Sequence, residues 1–188
     1  ELYPVLIDYL QSIGILSKRI DEKKSKKLGR NHNKHLHPDV VGIDQHSKSF
    51  SKTVQSILLS QGIPLYQLTS YEVKVQINSG NARIHYGQAV DNSTWANRGY
   101  LVASEILEGA LDELKVLNKI HGIGVILLNK DNPSESQILI ESKERELSGD
   151  GMDRLYQVNS DFQDFCSLVE DYLNTGKLKG RDFDLKSE

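Results

Sequence analysis

Charged residues interrupt two apolar segments in the first half of the chain, and their types suit one kind of chemistry. One is Asp39, in the segment His37-Pro38-Asp39-Val40-Val41-Gly42. The others are Glu72 and Lys74, which lie two residues apart in Ser70-Tyr71-Glu72-Val73-Lys74. Side chains two residues apart leave the same face of a strand. Glu72 and Lys74 would therefore converge, and a neighbouring strand could bring Asp39 beside them.

Two carboxylates and a lysine suit metal-assisted phosphodiester cleavage. Mg²⁺ usually binds one or two carboxylates together with waters and substrate oxygens, and it lowers the pKa of a bound water. Lys74 could orient or deprotonate that water, or stabilise the developing negative charge. The alternative is structural: Glu72 and Lys74 would lie on a solvent-facing side of the strand, and Asp39 would cap a turn after Pro38.

The pattern around these residues predicts alternating helices and strands. Apolar residues at helical spacing predict helices over 2–13, 49–60, 82–95, 109–121, 153–158 and 162–172. Period-two or continuous apolar runs predict strands over 15–20, 36–43, 65–77, 99–106, 122–128 and 137–140. This order predicts an α/β fold with a central mixed sheet flanked by helices. Trp95 lies among small polar residues, and we expect it to be a core anchor rather than a residue that shapes substrate access.

Composition places the chain among globular proteins. It has 188 residues, 38% of them hydrophobic and 26% charged, with a net charge of −3, which excludes disordered and fibrous classes. Its single cysteine, Cys166, excludes an internal disulfide and a thiolate zinc site. We expect one domain over 1–173, which includes an acidic helical part at 145–173, and then a polar tail at 174–188. No apolar run could span a bilayer and no signal peptide pattern is present, so we expect a cytoplasmic location.

A basic segment at 23–35 precedes Asp39 in the chain. It suggests an edge that faces a polyanion, although a solvated loop is an alternative. Three histidines in or beside it do not have the spacing of zinc ligands. The candidates for contact with nucleic acid are Lys24, Lys26, Lys27, Arg30, Lys34 and His37.

The two acidic sites together resemble a known signature. Pro38-Asp39 followed by Glu72-Val73-Lys74 is similar to the motif of the PD-(D/E)XK nuclease superfamily, which has a helix, a strand pair carrying the Asp, a strand carrying E-x-K, a helix and a further strand. The resemblance extends over roughly 2–165 to the HrgA-like proteins, which are bacterial proteins associated with restriction-modification loci. The segments that carry it are Leu2-Tyr3-Pro4, Lys18-Arg19-Ile20-Asp21, Leu36-His37-Pro38-Asp39-Val40-Val41-Gly42, Tyr71-Glu72-Val73-Lys74, Gln88-Ala89-Val90-Asp91-Asn92-Ser93, Trp95-Ala96-Asn97, Gly99-Tyr100-Leu101-Val102-Ala103 and Gly122-Ile123-Gly124-Val125-Ile126.

The resemblance implies a role for each site residue. Asp39 and Glu72 would bind Mg²⁺ or Mn²⁺, Lys74 would be the catalytic lysine, and Gln88 would contact the site from the next helix. An acidic residue ahead of the Asp strand would complete the metal shell. The candidate is Glu22, and its alternatives are Asp21, Glu1 and Asp8.

The function implied is metal-dependent DNA endonuclease activity within a restriction-modification or defence system. Cleavage of both DNA strands usually needs two active sites, so we expect a homodimer, and the resemblance implies a helix-turn-helix domain ahead of this region. One alternative is a non-catalytic nucleic-acid-binding or regulatory module that retains the nuclease fold. Another is an assembly role in which the acidic C-terminal helices dock a partner subunit.

Overall fold

The computed structural model describes residues 2–25, 37–44, 49–176 and 183–184. Within these ranges six strands form one sheet: β1 Ile15–Arg19, β2 Val40–Asp44, β3 Gln67–Ile77, β4 Arg98–Ile106, β5 Gly124–Leu127 and β6 Gln137–Ile140. The helices are α1 Leu2–Ser12, α2 Lys52–Ser60, α3 Ala82–Asn92, α4 Ala110–His121, α5 Gly149–Val158 and α6 Ser160–Thr175. The prediction of an α/β fold with a mixed sheet flanked by helices is confirmed.

The strands lie in the sheet in the order in which they occur in the chain. β1, β2 and β3 form an antiparallel meander, and β3, β4 and β5 are parallel to one another. Parallel neighbours need a crossover connection, which α3 supplies between β3 and β4 and α4 supplies between β4 and β5. β6 closes the far edge antiparallel to β5.

The second strand begins later than the apolar pattern predicts. β2 starts at Val40, and Pro38 and Asp39 precede it. Proline has no N–H to donate to a ladder, and the side chain of Asp39 accepts the backbone N–H of Val73 at 2.7 Å. The Asp39 side chain therefore bonds the backbone N–H of Val73, which a longer β2 would bond with a backbone carbonyl.

Both faces of the sheet are buried. α1 covers one face, where Leu6 and Leu10 pack in a cluster with Val40 and Tyr71. On the other face, Trp95 packs edge-on against Phe162 of α6, with ring centroids 4.9 Å apart. The C-terminal helices therefore contribute their apolar side chains to the core of the domain. No helix in the described ranges is both long and apolar enough to cross a membrane.

The C-terminal segment returns to the sheet. α6 runs to Thr175 and ends at Gly176, whose φ of 65° is the left-handed conformation that favours glycine at a helix C-terminus. Beyond it, Phe183 is buried in the same cluster as Trp95. Asp184 accepts the backbone N–H of Arg19 at 2.6 Å. The predicted polar tail at 174–188 is thus tied to the domain at these two residues, because Phe183 supplies one apolar anchor in a charged segment.

Candidate active site

A cavity of about 350 Å³ opens at one end of the β2–β3 pair. The charged residues of the two acidic segments line it, and so do residues from the start of α1 and the end of α3. Five of the sequence-predicted site residues meet in this cavity: Asp39, Glu72, Lys74, Glu22 and His37.

Strand register brings the two carboxylates together. Val40 pairs with Tyr71 at the start of the antiparallel β2–β3 ladder. One residue beyond that pair, the same register sets Asp39 opposite Glu72. Residues directly opposite each other in an antiparallel pair have neighbouring side chains on one face. Asp39 and Glu72 are therefore neighbours although 32 residues separate them in the chain.

Asp39 is a half-buried carboxylate that accepts two hydrogen bonds. Its Oδ2 accepts the N–H of Val73 at 2.7 Å, and its Oδ1 accepts the hydroxyl of Tyr3 at 3.1 Å. Burial, and then the negative charge of Glu72, raise the pKa of Asp39 from 3.8 to about 6. The two hydrogen bonds and the positive charge of Lys74 act in the opposite direction. The pKa of Asp39 therefore lies close to physiological pH, as is common for carboxyl groups in functional sites.

Glu72 is held from two sides. Only 5% of it is exposed. Its Oε1 accepts a hydrogen bond from the ammonium of Lys74 at 2.6 Å, which is also an ion pair. Its Oε2 accepts the side-chain amide N–H of Asn92 at 2.7 Å. Glu72 therefore does not lie on a solvent-facing side of β3, as the structural alternative would require.

Sequence reasoning missed Asn92, which is the last residue of α3. It is buried, it lines the cavity and it contacts Glu72 directly. Gln88, the predicted contact from this helix, lies one turn earlier, is hydrogen-bonded to His85, and is not among the residues that line the cavity. Residues four apart lie on the same face of a helix, so Gln88 and Asn92 share a face. Asn92, in the last turn of α3, is the one that contacts Glu72.

Tyr3 and Arg19 close the cavity on the side of α1. The guanidinium of Arg19 lies over the ring of Tyr3, 4.2 Å from its centroid, in a cation–π contact. Burial and the negative charge of Asp39 raise the pKa of Tyr3 to about 12. The Tyr3 hydroxyl is therefore a fixed donor toward Asp39 and keeps its proton across the physiological range.

A 3₁₀ turn at Glu22–Lys24 forms another side of the cavity. The buried carboxylate of Asp161, at the start of α6, accepts the backbone N–H of Asp21 at 3.0 Å and the ammonium of Lys24 at 2.8 Å. Lys24, a predicted nucleic-acid contact, is thus engaged in an ion pair. Glu22 is exposed on the turn.

The remaining candidates of the basic segment divide between the described and undescribed parts of the chain. His37 is buried and lines the cavity. Six other positions of the basic segment and one of the alternatives for the metal shell lie outside the described residues: Lys26, Lys27, Arg30, Lys34, His32, His35 and Glu1.

The donor chemistry of this site fits a hard cation. Within the described ranges no group of three His, Cys, Asp or Glu side chains is arranged to hold a metal, so Glu22 does not form a three-carboxylate cluster with Asp39 and Glu72. The amide oxygen of Asn92, however, is buried and has no hydrogen-bond partner among the described residues. Two carboxylates and an amide oxygen are the kinds of oxygen ligand that suit Mg²⁺ and Mn²⁺.

Comparison with known proteins gives no family for this chain. No family model matches it, and no curated protein matches it. A solved structure of a protein of unknown function from Silicibacter pomeroyi is similar to it at 14% identity, with a TM-score of 0.45. That match covers 92% of this chain and 88% of the other.

Proposed function

We propose that this protein is a metal-dependent DNA endonuclease of the PD-(D/E)XK type. The observation that carries the proposal is the neighbouring pair of the half-buried Asp39 and the buried Glu72, with Lys74 2.6 Å from Glu72, at the wall of an open cavity. Placing two carboxylates side by side where water is largely excluded is costly unless a cation neutralises them. A chain selected for stability alone would have little reason to retain such a pair.

The order of elements supports the nuclease type. α1 comes first, then an antiparallel strand pair with Asp39 immediately before its second member, then Glu72 and Lys74 on β3. A helix and a parallel strand follow. This is the order that the PD-(D/E)XK resemblance implies. Participation in a restriction-modification or defence system is part of the same proposal.

Each side chain has a distinct task in phosphodiester hydrolysis. A bound Mg²⁺ would supply charge neutralisation and a water of lowered pKa. Asp39 and Glu72 would hold that ion, so Asp39 must lose its proton first. Lys74 would leave Glu72 when the ion binds, and its ammonium would then stabilise the negative charge that develops on the phosphate.

The other cations of the cavity suit a phosphate backbone. Arg19 and Lys23 line the same cavity as the carboxylates. Guanidinium and ammonium groups are the usual partners of phosphate oxygens. A strand of DNA approaching this opening would meet positive charge at the rim before it reached Asp39 and Glu72.

The direct test is cleavage of supercoiled and linear DNA with Mg²⁺ or Mn²⁺. Asp39→Asn, Glu72→Gln and Lys74→Met should each lower the rate by about 100-fold or more. A matched control is Glu105→Gln, because the Glu105 carboxylate accepts an exposed hydrogen bond from Gln76, which lies on the strand that carries Glu72. It should cut like the wild type. If the wild type cuts no DNA with either ion, or the three variants cut as well as the control, the proposal is wrong.

A non-catalytic nucleic-acid-binding module is the second candidate. It is favoured by the close Lys74–Glu72 ion pair, because Glu72 is already neutralised without a metal. This function predicts DNA binding that weakens steeply with salt and is the same with EDTA as with Mg²⁺. Binding and cleavage that both require the divalent ion would exclude it.

A further inference from the structure

The end of α3 is fastened to β3 immediately beside Glu72. The backbone carbonyl of Asn92 accepts two hydrogen bonds, from the hydroxyl of Ser70 at 3.1 Å and from the indole N–H of Trp95 at 3.0 Å. Ser70 precedes Glu72 by two residues on β3. All four residues are buried. The backbone of Asn92 is therefore fixed relative to the strand that carries the acidic ligand.

The contact with Glu72 determines which way round the Asn92 amide lies. Its Nδ2 donates to Oε2 of Glu72 at 2.7 Å. The opposite orientation would turn the amide oxygen toward the carboxylate, where two acceptors would repel each other. The oxygen, Oδ1, is therefore the amide atom that makes no hydrogen bond to Glu72, and it belongs to a residue that lines the cavity.

The amide oxygen lacks a hydrogen-bond partner in a place where an unpaired acceptor is costly. Only 3% of Asn92 is exposed, and Oδ1 has no partner among the described residues. A buried acceptor without a partner destabilises the folded state, because it has given up its hydrogen bonds to water. Such an orphaned group calls for an explanation, and coordination of an ion is one of the recognised explanations.

We propose that Oδ1 of Asn92 is the third protein oxygen of the divalent-cation site formed by Asp39 and Glu72. This inference rests on the proposed function, because it assumes that the two carboxylates bind a metal. It assigns Asn92 two tasks: Nδ2 orients Glu72, and Oδ1 faces the ion. It also explains why the third ligand expected from an acidic residue at Glu22 is not needed.

The test measures binding of Mn²⁺ to the full chain by the loss of the free-ion electron paramagnetic resonance signal, and it does not use DNA. Asn92→Leu, which has similar volume but no polar atom, should bind Mn²⁺ about 10- to 100-fold more weakly than the wild type. Asn92→Asp keeps an oxygen at the same place but loses the donor to Glu72. It should bind Mn²⁺ at least as tightly as the wild type, and the ion should raise its Tm by more.

The second variant separates this proposal from a purely structural role. If Asn92 only orients Glu72, Asn92→Asp should bind Mn²⁺ at least as weakly as Asn92→Leu, because a carboxylate there repels Glu72. Asp91→Asn is the matched control, since Asp91 is the exposed neighbour on the same helix, and it should leave Mn²⁺ affinity unchanged. Melting curves with EDTA show whether each variant folds. If Asn92→Leu is unfolded, Asn92→Asp decides alone.

The outcomes distinguish the two proposals. A wild type that binds no Mn²⁺ overturns the metal-dependent function and this inference together. A wild type that binds Mn²⁺, with Asn92→Leu folded and within twofold of it, overturns only the role of Asn92. Weak binding by Asn92→Asp also overturns that role and leaves the nuclease proposal to the cleavage test.

Discussion

Replacing Asp39 with asparagine is expected to stabilise the metal-free protein at neutral pH. The wild-type carboxyl has a pKa of about 6 in the folded state, against an ordinary value of 3.8, because it is buried beside Glu72. The folded protein therefore binds a proton more tightly than the unfolded chain does. The cost of ionising Asp39 is absent below pH 3.8, grows as the pH rises to 6 and is complete above it.

The magnitude follows from the two pKa values. Their difference is about 2, and each unit corresponds to 1.36 kcal/mol, so ionised Asp39 destabilises the folded state by about 3 kcal/mol above pH 6. Asparagine has the same shape and removes that charge. Its oxygen can accept the N–H of Val73, and its NH₂ can donate to the oxygen of Tyr3 in place of the present contact.

Urea denaturation at pH 4, 6 and 8 with EDTA would measure this effect. The free energy of unfolding of Asp39→Asn should exceed that of the wild type by up to about 3 kcal/mol at pH 8, and the difference should approach zero at pH 4. Adding Mg²⁺ should stabilise the wild type but not Asp39→Asn, and so narrow the gap. Glu105→Gln should match the wild type within about 0.5 kcal/mol at each pH.

One result would refute this reasoning. If Asp39→Asn were less stable than the wild type at pH 8 with EDTA, ionised Asp39 would be contributing more through its hydrogen bonds than it costs through burial. A stability difference that did not change between pH 4 and pH 8 would show equally that the carboxyl titrates with an ordinary pKa. Either result would remove the electrostatic argument for a cation at this place.

Three further changes test the surroundings of the site and the core. Tyr3→Phe removes a hydrogen bond that lowers the pKa of Asp39, so the pH midpoint of Mn²⁺ binding should rise, with a stability loss of about 1 kcal/mol in urea; an unchanged midpoint would contradict the contact. Asp161→Ala leaves the backbone N–H of Asp21 without its acceptor and should lower the free energy of unfolding by about 1–3 kcal/mol in the same assay. An unchanged stability would mean that water replaces the carboxylate as the acceptor. Phe162→Ala empties a fully buried site and should lower the free energy of unfolding by about 3–5 kcal/mol, and a loss below 1 kcal/mol would show that the core refills the space.

The three central site residues could be predicted because their signal is local. Asp39, Glu72 and Lys74 each carry charge inside an apolar run, and the period-two pattern of β3 indicates which side chains share a face. The meeting of Asp39 with Glu72 needed only the pairing of two adjacent strands. The same pattern misjudged the start of β2, because an apolar run does not reveal that Pro38 interrupts the ladder.

Asn92 could not be predicted in this way. Amide residues are common at helix ends for reasons of local hydrogen bonding, so its type carries no signal there. Its contact with Glu72 depends on where α3 crosses β3, and that crossing is fixed by burial of Trp95 and by Ser70. Gln88 occupies the same helix face one turn earlier, and helical spacing alone does not decide which turn lies over the carboxylate.

Phe183 shows a second limit of sequence patterns. A single aromatic residue within a charged segment has no periodicity, and periodicity is the main signal for an element that packs. Its burial depends on the gap that α6 and the sheet leave.

The chain has one tryptophan, and its position makes it a natural optical probe. Its indole N–H donates to the backbone carbonyl of Asn92, whose side chain contacts Glu72, and its ring packs on Phe162 of α6. Emission from this tryptophan, excited at a wavelength that tyrosine does not absorb, therefore reports on the junction between the cavity and the C-terminal helices without any label. Rearrangement at the Asn92 end of α3 and separation of α6 from the sheet would both change that emission, and only the second would expose the ring to an aqueous quencher such as iodide.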